Sequence, residues 1–97
     1  MLRALVLAVA AAGCTYPPPQ ATAADARRAN VALAELTLGR ELLMDKCSDS
    51  ACHRTPLPQD HRAAEWPHQV HQMAERAGID HRQQQLIAQY LVVMAGK

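Results

Sequence analysis

The chain has 97 residues, enough for one small domain and not for two. Ten Lys and Arg stand against nine Asp and Glu, so no basic stripe offers itself to nucleic acid and no net field steers charged partners. With no Phe, one Trp and two Tyr, a domain this small needs a staple, a metal or a cofactor to complete its core.

Met1-Leu2-Arg3 makes a short basic start, residues 4–12 form an apolar run too short to span a bilayer, and Ala11-Ala12-Gly13-Cys14 closes it. This is the pattern of a secretory signal. Small residues directly before Cys14 resemble a bacterial lipobox, in which that cysteine becomes the lipid-bearing first residue of the mature protein. An ordinary secretory signal with an incidental cysteine is the alternative. Thr15 in place of an acidic retention signal favours the outer membrane. Removing thirteen of the 97 residues leaves 84, with nine basic side chains (Arg3 is lost) against nine acidic ones. The expected organisation is a lipoprotein signal over residues 1–13, a lipidated cysteine and proline-rich spacer over 14–24, and a domain over 25–97.

Tyr16-Pro17-Pro18-Pro19-Gln20 favours an extended polyproline rod, whose natural role is to lift the domain off the membrane. From about residue 23 to 46 the chain is rich in Ala, Leu, Arg and Glu, which predicts one long helix capped by Thr22 or Asp25. Ala29, Ala32, Leu36, Gly39 and Leu43 fall on one face of it, and Val31, Leu38 and Leu42 fall roughly opposite. A helix apolar on two sides is sandwiched within the domain or pressed against another protein. Gly39 costs about 1 kcal/mol relative to Ala in a helix, which implies a close backbone approach there.

Cys47-Ser48-Asp49-Ser50-Ala51-Cys52-His53 carries the chemistry. Adjacent Cys-His is what c-type haem attachment uses: two thiols form thioethers with the haem vinyls and the histidine binds the iron. Here four residues separate the cysteines where two are usual, and they are small or polar. A disulfide between Cys47 and Cys52, or half of a zinc site, uses the same residues. An adjacent Cys-His pair does not easily place both side chains on one tetrahedral ion. With Cys14 taken by lipid and the other two by haem or each other, no thiol remains to mispair in an oxidising compartment.

Arg54-Thr55-Pro56-Leu57-Pro58-Gln59-Asp60 reads as extended, with carbonyls suited to accept the free N–H of His53. A helix follows from about Trp66, with Pro67 in its first turn and Gly78 at its end. Trp66, Val70, Met73 and Ala77 share a narrow stripe, while His68 and His71 face away. Asp80 and Gln83 form a capping box for the last helix, whose broad apolar face holds Leu86, Ile87, Tyr90, Leu91, Val93 and Met94. Met94 reads as core and His81 as solvated. No strand pattern and no repeat occurs.

Gly39 lies eight residues before Cys47 and Leu43 four before it, and the last helix carries Tyr90-Leu91. These marks resemble class I cytochromes c, whose N-terminal helix has a glycine and a large apolar residue at those offsets and whose C-terminal helix crosses that glycine with an aromatic-Leu pair. Trp66-Pro67-His68-Gln69-Val70-His71-Gln72-Met73 looks like the W-x3-V-x2-M segment of some small bacterial haem domains. The resemblance implies an all-α, cytochrome c-like bundle of about three helices around one covalent haem c. It implies thioethers at Cys47 and Cys52, His53 as proximal ligand and Met73 as distal ligand, with His61, then His68 or His71, as rivals. Leu43, Trp66, Val70 and Tyr90 would pack the haem pocket.

On that resemblance the protein is a lipid-anchored electron carrier at the periplasmic side of a bacterial membrane, or the haem subunit of a larger complex. Its partners would be redox proteins at the membrane surface, with no small-molecule substrate and no bond chemistry. Two other classes stay open: a zinc-binding or disulfide-stapled structural lipoprotein, and a haem sensor or small peroxidase-like enzyme with an open distal site.

Overall fold

The computed structural model describes residues 17–47 and 54–97. The expectations for residues 1–16 and for Cys52 and His53 lie outside them. Among the described residues the chain is all-helical, with no strand. Four α-helices follow one another: α1 (Ala23–Ala29), α2 (Leu33–Lys46), α3 (Trp66–Ala77) and α4 (His81–Ala95). Two single 3₁₀ turns, Pro58–Asp60 and Ala63–Glu65, lead into α3 in place of a wholly extended segment.

The single long helix expected from residue 23 to 46 is broken in two. Asn30 sits in the left-handed region, with φ 57° and ψ 47°. Its N–H donates to the Arg27 carbonyl (3.2 Å), and that of Val31 returns to the Ala26 carbonyl (3.0 Å). These two bonds are the Schellman closure that ends a helix, and Asn tolerates its left-handed residue better than most side chains. Thr22 caps the start: its hydroxyl accepts from the Asp25 N–H (3.2 Å), and the Asp25 carboxylate accepts from the Thr22 N–H (2.8 Å).

On α2 the buried residues are Leu36, Gly39 and Leu43, three of the five expected on that face. Of the other two, Ala29 belongs to α1 and Ala32 is exposed. The opposite face is only partly covered: Leu38 remains 43% exposed, while Val31 and Leu42 are half-buried.

Helices α2 and α4 form the principal packing pair, and α3 packs on α4. At the α2–α4 crossing the glycine expectation is met. A Cβ on Gly39 would lie 2.2 Å from the Leu86 carbonyl oxygen and 2.9 Å from the Cβ of Tyr90. Only a residue without a side chain lets the two backbones approach so closely.

Helix α3 begins at Trp66-Pro67 and ends at Gly78 (φ 67°), whose N–H reaches the Ala74 carbonyl. Its buried line is Trp66, Val70 and Ala74, so the stripe is rotated slightly from the expected one. Met73 and Ala77 border it half-buried, and His68 and His71 face solvent as expected. Asp80 and Gln83 cap α4 reciprocally, at 2.8 and 3.0 Å. That helix buries Leu86, Ile87, Tyr90, Leu91 and Met94.

The proline segment does not stand clear of the domain. Pro18 is fully buried, its carbonyl accepts the Arg40 Nε–H at 2.8 Å, and the Pro19 carbonyl accepts the Tyr90 hydroxyl. Residues 23 and 24, assigned to the spacer from sequence, form the first turn of α1.

Candidate functional site

Cys47 follows the last turn of α2, its N–H bonded to the Leu43 carbonyl at 3.0 Å. It is 3% exposed and belongs to one apolar cluster with Leu43, Trp66, Val70, Ile87, Tyr90, Leu91 and Met94. All four residues expected to pack a haem pocket therefore belong to one cluster that contains a motif cysteine. Met94 is core, as expected. Met73 packs half-buried at the cluster's margin.

Arg54 directly follows the motif. The next residues are fixed by an acid–base clamp. Arg54 Nη2 donates to Asp60 Oδ1 at 2.9 Å, and the other Asp60 oxygen accepts the Leu57 N–H at 2.9 Å. Burial works to raise the Asp60 carboxyl. The Arg54 hydrogen bond and charge, with the Leu57 N–H, overcome it and hold the group below its ordinary value. Trp66 is locked from the same segment, its indole N–H donating to the Pro58 carbonyl at 2.9 Å. This satisfies the one polar atom of a side chain that is otherwise 1% exposed.

These elements enclose an open cleft of about 300 Å³, lined by Arg54, Pro56, Asp60, His61, Trp66, Gln69 and Met73. The two first-ranked candidates for a distal ligand, Met73 and His61, thus line one cleft. His61 meets the Trp66 ring edge-on, with centroids 4.9 Å apart and planes at 83°. Its Nδ1 lies 3.8 Å from a Glu65 oxygen. The Glu65 carboxyl is held below its ordinary value, chiefly by the Arg62 backbone N–H. A second groove of about 510 Å³ runs along α3 past His71, Glu75 and Arg76, and Met73 lines that one too.

The remaining histidines are not gathered here. His71 lies exposed with Nδ1 3.2 Å from Gln84 Nε2, His68 is exposed, and His81 is exposed at the start of α4. Among the described residues no three His, Cys, Asp or Glu side chains converge on a point; Cys52 and His53 are not among these.

Cys47 is buried inside the apolar, aromatic cluster and Met73 packs half-buried against it. A cysteine there is of the type that forms a thioether with a haem vinyl, and a methionine sulfur is of the type that iron accepts. Sequence reasoning missed the Arg54–Asp60 clamp, which no local pattern announces beyond a basic residue placed directly after the motif.

Compared with protein-family models, curated proteins and solved structures, the chain matches none.

Proposed function

We propose that this chain is a lipid-anchored, monohaem c-type electron carrier of the bacterial periplasm. On this reading Cys47 and Cys52 hold the haem, His53 is the proximal ligand, Met73 the distal one and Cys14 the lipid anchor. The observation that carries the reading is the helix crossing at Gly39. A glycine eight residues before a motif cysteine meets Leu86 and Tyr90 so closely that no side chain fits, and that cysteine lies in the cluster that includes Tyr90 and Trp66. Nothing in the composition requires such a crossing.

Bound there, a haem supplies a one-electron Fe(III)/Fe(II) couple. The protein's own residues do the rest. Cys47 would tie α2 to the group, Trp66 and Val70, both buried in the same cluster, would keep water from it, and Met73 would offer a weak thioether donor that favours the reduced metal. On this reading the protein would pass single electrons, with no substrate bound and no bond broken. The cleft beside Arg54 and Met73 is where an exposed edge would meet a redox partner.

Intact-mass measurement of protein matured with its signal and the haem-attachment machinery tests the assignment of residues. The expected product carries one haem and one lipidated N-terminal cysteine. Cys47→Ser and Cys52→Ser should each prevent doubly linked haem, and Cys14→Ser should abolish the lipid alone. Haem mass that survives both motif substitutions would refute the assignment.

A further inference from the structure

We propose that residues 17–22 are a docked strap that lays the α1 side of the domain on an anionic phospholipid surface, instead of suspending the domain above it. The inference rests on Cys14 bearing the lipid, and it adds how the domain sits on the membrane.

Four ties hold the strap. Pro18 is fully buried and its carbonyl accepts the Arg40 Nε–H at 2.8 Å. The Pro19 carbonyl accepts the Tyr90 hydroxyl. Ala21 packs against the apolar cluster, and Thr22 exchanges hydrogen bonds with Asp25. A free polyproline spacer would leave those carbonyls to water. Here Arg40 of α2 and Tyr90 of α4 reach them from both partners of the helix crossing.

The reach is short. Cys14 to Pro18 is four residue steps, which an extended chain spans in at most about 14 Å. A lipid on Cys14 therefore holds the strap's fixed point within about that distance of the headgroups. The charge beside the strap fits such a surface. Asp25, 2% exposed, receives Arg28 Nη1 at 3.0 Å and Lys97 Nζ at 3.3 Å, and Arg27 is exposed on the same helix. Two cationic side chains, Arg28 and Lys97, thus meet at one buried carboxylate, and a third, Arg27, is exposed on the helix that the strap itself caps. Basic groups held within a Debye length of an anionic bilayer are drawn to it. The cleft beside Met73 is built from other elements, residues 54–61 and α3, and stays available to a partner.

The test is amide hydrogen exchange of the lipidated, haem-loaded protein on vesicles of phosphatidylethanolamine and phosphatidylglycerol, against the soluble Cys14→Ser chain. Amides of residues 21–31 should exchange several-fold more slowly on the vesicles. A long Gly-Ser insert between Thr15 and Tyr16 leaves every tie intact and should abolish that slowing. Arg40→Gln with Tyr90→Phe should abolish it too, while the protein stays in the membrane fraction. Equal exchange on and off the vesicles, or slowing that survives the insert, overturns the proposal. Absence of lipid on the wild-type chain, read by mass, would instead refute the Cys14 assignment and take the proposal with it.

Discussion

Substituting Gly39 by Ala perturbs the helix crossing most directly. The added methyl would lie 2.2 Å from the Leu86 carbonyl oxygen and 2.9 Å from the Tyr90 Cβ. Both neighbours are fixed, one by the backbone of α4 and the other by its first side-chain atom, so no rotamer change relieves the contact. The helices must separate by about 1 Å to restore ordinary contact distances, and the cluster around Leu43, Trp66 and Tyr90 opens with them. Overpacking of this kind costs about 1–3 kcal/mol, and an unyielding backbone places it at or above the upper end. Ala gains back about 1 kcal/mol in helix propensity, so the net loss should be about 2 kcal/mol. For a domain of this size that lowers Tm by about 8–16 °C.

Two other glycines supply internal controls for the same assay, urea unfolding followed by circular dichroism. Gly78 has open space around its Cβ position but φ 67°, so Gly78→Ala should cost about 1 kcal/mol from backbone strain alone. At Gly96 an added methyl would have its nearest neighbour 3.4 Å away and φ is −83°, so Gly96→Ala should be near neutral. The reasoning is refuted if Gly39→Ala costs no more than Gly96→Ala, or if it costs no more than Gly78→Ala.

Trp66→Phe should cost about 1–3 kcal/mol in the same measurement, because the buried Pro58 carbonyl loses its indole donor and a smaller ring leaves a gap; an unchanged midpoint would contradict that. Burial raises the Tyr90 phenol to about 12, against an opposing influence of Arg40. A raised acid contributes stability in full below the unfolded-state value near 10 and loses it as pH climbs toward 12. Unfolding free energy should therefore fall between about pH 10 and 12. Tyr90→Phe should flatten that fall, and a slope as steep as wild type would sink the assignment. With haem attached, Met73→Ala should open the reduced protein to carbon monoxide, while His61→Ala should leave it closed. The opposite pattern would make His61 the distal ligand.

What could be read from sequence was whatever depends on spacing along one helix. Gly39, Leu43 and Tyr90 were legible because a close crossing leaves its mark at a fixed offset on each partner. The Asp80–Gln83 box and the Gly78 stop were legible because caps are local chemistry. The break at Asn30 was hidden by strong helix formers on both sides, although Asn is the one residue there at ease with positive φ. Met73 was placed within the stripe by an idealised projection, whereas the buried line runs through Trp66, Val70 and Ala74 and leaves Met73 half-buried beside it. The role of Pro18 and Pro19 was illegible in principle: their partners, Arg40 and Tyr90, lie 22 and 71 residues away, and no local pattern announces them.

Covalent haem attachment meets its most direct test in the visible spectrum of the matured protein, taken before and after acid-acetone extraction. A six-coordinate c-type carrier should give sharp reduced haem bands, no shift under carbon monoxide, and colour that stays with the protein. A colourless protein, or haem that extracts freely, would contradict it and return Cys47 and Cys52 to a disulfide or a zinc site.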